Sequence, residues 1–369
     1  MKIDNYLTFL DERKGSDLFF SPDCPVLIKV EGVCHPVNKS QRLTAAECKE
    51  LAYSLMHENN VRDFEKNWEC NFGVSMASVG RFRVNVLRQR GQVAMVIRRI
   101  NLIPPTLQEL HLPEYLSKVV MERRGLVFVA GATGSGKSST LAAMINYRNQ
   151  HQSGHILTIE DPIEFVHQYG QSIVNQREVG TDTRSYAEAL KNAMREAPDV
   201  ILIGEIRDAE TLRSAISYAE TGHLCLTTIH ASNAIETLDR VINFFPEENH
   251  RQLLIDLANN LKAIICQRLI RGVDEMRWPA IEILKDSPFI AELIQKGQLE
   301  QIREAFERNL EKEIITFDRS IFELYSQGRI SREEAVQNAD SRHNIEVLIR
   351  LNETDPSGAS LDQLSLKDK

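Results

Sequence analysis

The chain has little with which to cross-link itself. Its 369 residues hold six cysteines, Cys24, Cys34, Cys48, Cys70, Cys225 and Cys266, and no two stand as C-x-x-C. That spacing excludes a zinc knuckle. The opening stretch, Met1 through Glu12, meets acid after only a few apolar residues, so no secretory signal is expected. Without export, free thiols in a reducing compartment are the expectation, with Cys225 and Cys266 in the core. No run approaches the roughly 20 apolar residues of a spanning helix, so no transmembrane segment is expected. A basic excess is missing too: 44 Lys and Arg stand against 52 Asp and Glu, a formal net charge of −8. Proteins that coat nucleic acid carry the opposite sign, so no nucleic-acid partner is expected. Internal repeats and low-complexity tracts are also lacking. What remains, 42% hydrophobic and 26% charged residues, is a globular composition with length for about two to three domains.

The densest signal runs from Leu126 to Thr140. An apolar run, Leu126–Ala130, leads into Gly131-Ala-Thr133-Gly134-Ser135-Gly136-Lys137-Ser138-Ser139-Thr140. This fits G-x-x-x-x-G-K-[ST] in full. Glycines at 131, 134 and 136 let the backbone curl until successive N–H groups point inward at phosphate oxygens. The helix opening at Lys137 adds its unpaired N–H groups and positive dipole end. Lys137 can reach β- and γ-phosphates, and the Ser138 hydroxyl can ligate Mg²⁺. Leu141, Met144 and Ile145 follow with helical spacing. An ATP-binding α/β core is the expectation.

Before that loop, residues 1–100 read as a small α+β domain. Leu18–Phe20 and Val26–Val30 are expected strands, and Thr44–Asn59 a helix with a capping box at Thr44 and Glu47. Gly80–Val86 alternates Phe82, Val84 and Val86 against Arg81, Arg83 and Asn85. Gln89–Gln92 can turn it back into Val93–Ile100, which carries Arg98 and Arg99. On the residues alone, this arginine face reads as solvated. Residues 101–113, with Pro104, Pro105 and Pro113, read as a stiffened linker.

Beyond the linker, strands alternate with helices, the pattern of a parallel sheet. His155–Glu164 is a strand ending in three carboxylates, Tyr186–Ala197 a helix with Tyr186, Leu190, Ala193 and Met194 on one face. Asp199–Ile203 is a buried strand running into Gly204-Glu205, and Thr221–His230 a strand with a histidine near each end. Ligands in such sheets bind beyond the carboxyl ends of the strands, where the loop, Glu164, Glu205 and His230 all fall. A generic phosphate-loop enzyme carries Asp where Gly204 stands. Glu205 is therefore free to orient water, with Asp161 and Glu164 left to support Mg²⁺. His230 can donate to the γ-phosphate, whereas His223 divides between that role and a structural one. His250–Ile270 is expected to be one long amphipathic helix on Leu253, Leu257, Leu261, Ile264 and Ile265. Helical pattern continues from Pro288 to Leu351, broken at Gly297 and Gly328, and the polar tail 352–369 is expected to be disordered.

In order along the chain, Thr158–Phe165 resembles the aspartate box of secretion ATPases. Gly204-Glu205-Ile206-Arg207-Asp208 resembles their atypical second acidic strand end, and Thr221-Gly-His223-Leu through His230 their histidine box. With the phosphate loop, the chain is similar to the hexameric type II secretion and type IV pilus ATPases, and within them to the PilT/PilU retraction branch. The resemblance implies a PAS-like N-terminal domain (1–100) and a linker (101–113). A RecA-like ATPase domain (114–285) and a C-terminal helical region (286–351) follow. It implies ATP and Mg²⁺ as cofactors, and a homo-hexamer at the cytoplasmic, inner-membrane base of a pilus machine. A PilC-like platform protein is the implied membrane contact. It makes Glu205 the catalytic glutamate and gives Glu164 a role with magnesium or water. It also reverses the bland reading of the hairpin: Arg83 and Arg98, with Arg81 and Arg99 behind them, are implied to reach nucleotide.

Two departures refine this. The tetracysteine zinc segment of the extension members is absent, which favours retraction. Where PilT-type motors carry an Ala-Ile-Arg-Asn-Leu-Ile-Arg motif, Ser287–Ile294 reads Ser-Pro-Phe-Ile-Ala-Glu-Leu-Ile. That place, with Thr316–Asp318, Gly328–Ser331 and Asn338–Asp340, resembles accessory motors that work with a PilT-like retraction ATPase. The competing reading is a nucleotide-binding regulatory subunit docked on such a ring, and a more distant one is a nucleic-acid motor.

Overall fold

The computed structural model describes residues 2–30, 32–76, 79–100, 103–274, 276–307 and 314–354. They divide into two units. The first is Met1–Ile103 together with two short stretches, Ile163–His167 and Gly180–Asp182.

Its six strands are β1 (Asp17–Phe20), β2 (Leu27–Val30), β3 (Val33–Pro36), β4 (Glu69–Met76), β5 (Gly80–Gln89) and β6 (Gln92–Ile100). They pair antiparallel in the order β3-β2-β1-β6-β5-β4. Alternation decides this sheet: Phe82, Val84 and Val86 are buried between half-buried Arg81, Arg83 and Asn85. Helices α1 (Ile3–Glu12), α2 (Ala45–Ser54) and α3 (Glu58–Asn67) cover the apolar face, where Leu10, Phe20, Phe64 and Phe82 meet. Thr44 and Glu47 form the expected capping box. The expected single helix to Asn59 is two, because the chain leaves helical conformation after Ser54. It restarts where Asn60 caps the His57 N–H, and this turns Phe64 inward.

The second unit is Pro104–Pro162, Gln168–Val179 and Thr183–Lys369. Its strands are β7 (Gly125–Ala130), β8 (Gly154–Glu160), β9 (Ser172–Glu178), β10 (Val200–Ile203), β11 (Leu224–Ile229), β12 (Leu261–Arg271), β13 (Arg277–Lys285) and β14 (Ile314–Ile315). The order is β14-β13-β12-β7-β11-β10-β8-β9. The strands from β12 to β9 run parallel, and β13 and β14 close one side antiparallel. All six residues of β7 are buried, as a strand covered on both faces requires: Leu126, Phe128 and Ala130 enter one core, Val127 and Val129 the other.

Helices α4 (Tyr115–Val119), α5 (Lys137–His151), α6 (Tyr186–Ala193), α7 (Ala209–Glu220), α8 (Ala234–Asn243) and α9 (Glu247–Asn260) connect these strands. After β13 come α10 (Pro288–Gln295), α11 (Leu299–Glu307), α12 (Phe317–Ser326), α13 (Arg332–Asn338) and α14 (Arg342–Thr354).

Three expectations change. The long helix 250–270 ends at Asn260, and Leu261–Arg271 is β12. Its apolar residues split between two cores, Ile264 and Cys266 in one and Ala263 and Ile265 in the other. A helix would gather them on one stripe, whereas a strand between β7 and β13 buries both sets. The α6 helix tightens into a 3₁₀ turn at Met194–Glu196, which leaves Met194 exposed. Residues 104–113 belong to the second unit, where Leu107 is buried beside Leu116 and Val119. Of the polar tail, residues 352–354 continue α14 and the rest lies outside the described residues. Among the described residues, no helix is long and apolar enough to cross a membrane.

Candidate active site

Strand register sets the site. His230 and Gly131 directly follow Ile229 and Ala130, which pair across β11 and β7. Ile203 of β10 pairs with Thr227 of β11 and Ile159 of β8, so Glu205 and Asp161 each follow two residues beyond a paired position. The carboxyl edge therefore presents, strand by strand at about 4.8 Å spacing, the loop, His230, Glu205 and Asp161.

The loop Gly131–Gly136 joins β7 to α5. Gly136 has φ 88°, and a Cβ there would stand 2.8 Å from the Gln267 amide nitrogen, so both backbone and neighbour demand glycine. Thr133 and Gly134 are exposed, and Ser138 and Ser139 are half-buried on the first turn of α5. Ser135 Oγ is buried and makes no hydrogen bond among the described residues. The buried Lys137 ammonium donates to the carbonyls of Gly131 (2.8 Å) and Ala132 (2.9 Å), which holds the charge over the loop.

Glu205 is held by two neighbours. Arg207 gives two N–H groups to its Oε2, each at 2.8 Å, and His230 Nε2 lies 3.2 Å from Oε1. Arg207 also lies 3.9 Å from Asp161. Burial, then the charge of Lys137, lower the His230 pKa below its ordinary value, against the pull of Glu205. That shift favours the neutral imidazole and weakens the ion-pair character of its contact with Glu205. Arg240 donates to the His230 carbonyl (2.7 Å) and fixes the turn behind it.

Gly204 has a local cause. A Cβ at 204 would stand 2.8 Å from the Tyr186 hydroxyl and 3.2 Å from the Ile159 carbonyl oxygen. Tyr186 is held as a neutral phenol, its pKa raised first by burial and then by Asp161, Glu160 and Glu205. The acidic side chain therefore begins one residue later, at Glu205.

Two expected ligands are placed elsewhere. Thr140 is fully buried, and its hydroxyl donates to Gln267 Oε1 at 2.6 Å, so it ties α5 to β12. His223 precedes β11 at the amino end, where its carbonyl accepts from the Gly125 N–H and Nδ1 meets the Tyr218 carbonyl at 3.1 Å. Six strand residues, about 20 Å, separate it from the loop's edge. Glu164 is exposed, makes no ion pair or hydrogen bond among the described residues, and falls in the stretch grouped with the first unit.

In the first unit, Arg98 donates to the buried carboxylate of Asp17 (2.8 Å), and Arg99 pairs with Asp11 (3.1 Å) and donates to the Gly15 carbonyl. Arg83 lies opposite Arg98 in register. Asp17 neutralises one member of that like-charged pair, and Arg83 makes no ion pair among the described residues. Arg81 is half-buried at the start of β5.

Sequence reasoning missed Arg207, Gln267 and Tyr186 as parts of the site. Arg207 was signalled, since residues two apart in extended chain share a side. Gln267 was hidden by the helical reading of its strand, and nothing local marks Tyr186.

The profile of the type II/IV secretion system protein family matches residues 3–351. The chain belongs to that family. It is similar to the type IV pilus ATPase PilU of Pseudomonas aeruginosa, with 47% identity over 95% of this chain and 92% of that one. It is also similar to the type IV pilus retraction ATPase PilT of Pseudomonas aeruginosa, 40% identical over 93% of this chain and 100% of that one. Among solved structures, the pilus retraction motor PilT with bound ADP superposes with a TM-score of 0.88. It is 39% identical, with 94% of this chain and 99% of that chain covered.

Proposed function

We propose that this chain is an ATP-hydrolysing motor of type IV pilus retraction, of the kind that assists a PilT-like ATPase. The observation that carries the reading is the complete phosphate loop at the end of β7 beside Glu205 and His230 at the ends of the neighbouring strands. The names of the relatives, a pilus ATPase and a retraction ATPase, give that site its task.

Within the site, the loop N–H groups and the start of α5 take the phosphates. Lys137 exchanges its loop carbonyls for β- and γ-phosphate oxygens. Glu205 orients the attacking water and accepts its proton. His230 carries one Nε2 proton with two available acceptors, Glu205 and the γ-phosphate. Phosphate arrival moves that proton's hydrogen bond and releases one Glu205 oxygen toward water.

The donor set fits Mg²⁺. Ser138 offers a hydroxyl with no hydrogen bond among the described residues, on the first turn of α5. Among the described residues, no cluster of three acidic, His or Cys side chains could hold a metal alone. That suits an ion bound mainly through nucleotide phosphates and water, with Asp161, and Glu164 from its own stretch, as outer support. Bound there, Mg²⁺ neutralises charge on the β- and γ-phosphates.

The wider reading follows the family. The first unit is PAS-like, and the sheet of the second is RecA-like. Six copies form a ring on the cytoplasmic side of the inner membrane, against a PilC-like platform protein. Arg83 and Arg98, with Arg81 and Arg99 behind them, supply positive charge to nucleotide in that ring. Arg98 and Arg99 must first give up part of their contacts with Asp17 and Asp11.

A second reading is a regulatory subunit that binds nucleotide with little turnover. The double hold on Glu205 favours it. Phosphate release with Mg-ATP by wild type and Lys137→Ala, with mass by light scattering, decides between them. A hydrolysing hexamer with a silent variant supports the motor. A wild type that binds ATP yet releases no phosphate, even with a PilT-type partner, overturns it.

A further inference from the structure

The turn that carries His230 rests on a polar set, from buried Glu282 to exposed Asp340, that the reaction does not use directly. Below it, Glu282 of β13 is 6% exposed and accepts the Ala234 N–H at 2.7 Å, which anchors the start of α8. Beside Glu282 stands Arg268 of β12. Its Nη2 reaches the Ser232 carbonyl at 3.5 Å, a long contact, and its guanidinium lies 3.8 Å above the ring of buried Phe317. On its other side, Nη1 binds the Asn338 carbonyl (3.1 Å) and Asp340 Oδ1 (2.7 Å). Asp318 then takes the N–H groups of Asp340 (2.7 Å) and Ser341 (3.0 Å), just before α14 begins.

A path thus runs from the 3.2 Å contact of Glu205 with His230, along the backbone of the turn to Ser232, and through Arg268 to Asp340. Asp318 ties Asp340 to the start of α14. The planar, multi-donor guanidinium suits a junction of this kind, because one rigid group serves the turn, the ring and the C-terminal helices together.

We propose that Arg268 is a positioning residue that joins the His230 turn to the C-terminal helices, so that a shift of the turn on nucleotide binding reaches α13 and α14. Two sequence stretches left without a role, Thr316–Asp318 and Asn338–Asp340, supply the far half of this junction. It rests on the nucleotide-site reading above, and its physical content is that both ends bias one shared side chain.

The test uses the full chain. Amide hydrogen exchange is followed with and without ADP, beside kcat, KM for Mg-ATP, ADP affinity and melting temperature. In wild type, ADP should raise protection in residues 229–236 and also in 338–348. In Arg268→Gln the first response should remain and the second vanish. Its kcat should fall by about tenfold while KM and ADP affinity stay within about twofold. Arg268→Lys, which keeps the charge on Asp340 without the fork, should recover part of both losses. The Arg268→Gln/Asp340→Asn double variant should be no worse than the more impaired single one. If Arg268→Gln does not fold, Asp340→Asn carries the same test, since it keeps the guanidinium on Phe317 and Asn338.

Unchanged exchange at 338–348 in wild type, or full kcat in a folded Arg268→Gln, overturns the proposal. Wild type that binds ADP and shows both responses but never releases phosphate leaves the junction standing and removes the motor. Turnover without the second response does the reverse. A wild type that binds no nucleotide removes both.

Discussion

The two ends of the parallel sheet hold the same residue types and use them differently. At the amino end, Asp199 accepts the His155 N–H at 2.8 Å, His155 Nδ1 meets the Glu196 carbonyl, and His223 meets the Tyr218 carbonyl. Each polar side chain there meets nearby backbone, and His155 and His223 also meet Asn175 and Thr221 beside them. At the carboxyl end, Glu205, Arg207 and His230 satisfy one another, and Lys137 rests on loop carbonyls. Those partners are exchangeable for a phosphate or a water. A site differs from a well-capped edge in whether its polar groups spend their hydrogen bonds on fixed backbone or on groups that can be replaced.

That contrast can be broken in several ways. Glu205→Gln keeps shape and removes the base, so kcat should fall by about 100-fold or more with nucleotide affinity kept, as phosphate release and ADP titration would read. Next in size is a pH effect at Glu282, whose pKa burial raises from 4.5 to about 7. The fold favours its protonated form, so this stability is complete below pH 4.5 and is lost as pH rises through 7. Between pH 5 and 8 the loss should be on the order of 3 kcal/mol. Glu282→Gln keeps an acceptor for Ala234 and should flatten that part of the stability profile in denaturant titrations.

Gln267→Leu strands the buried Thr140 hydroxyl and should cost about 1–3 kcal/mol, read by the same titrations. Replacing Thr140 by Val in that background should recover part of it, because both polar partners are then gone. The smallest effect belongs to the amino end. His223→Gln should leave nucleotide affinity unchanged within about twofold and cost no more than about 1 kcal/mol. A large loss of nucleotide binding there would erase the distinction between the two ends.

Much of this was legible along the chain. The phosphate loop, the alternation of Phe82, Val84 and Val86, the Thr44 cap and the buried runs of β7, β10 and β11 all depend on neighbours in sequence. The rest depends on neighbours in space. Leu261–Arg271 has apolar residues that suit a helix face until β7 and β13 are set on either side of it. Thr140 reads as a phosphate ligand until Gln267, 127 positions away, accepts its hydrogen bond. His223 and His230 sit in one strand pattern, and only strand direction tells which end is chemical. Arg98 and Arg99 look like a free basic face until Asp17 on the neighbouring strand and Asp11 on α1 come beside them.

Gly204 constrains the order in which this edge of the sheet can change. A chain that acquired Asp at 204, as generic phosphate-loop enzymes carry it, would push that side chain into the Tyr186 hydroxyl and the Ile159 carbonyl. Trimming Tyr186 first would leave a gap under β8 and β10 before any carboxylate arrived to fill it. Neither single step is comfortable, so the two positions are expected to change together or not at all. The displaced acid is then a choice that the surrounding packing makes hard to undo.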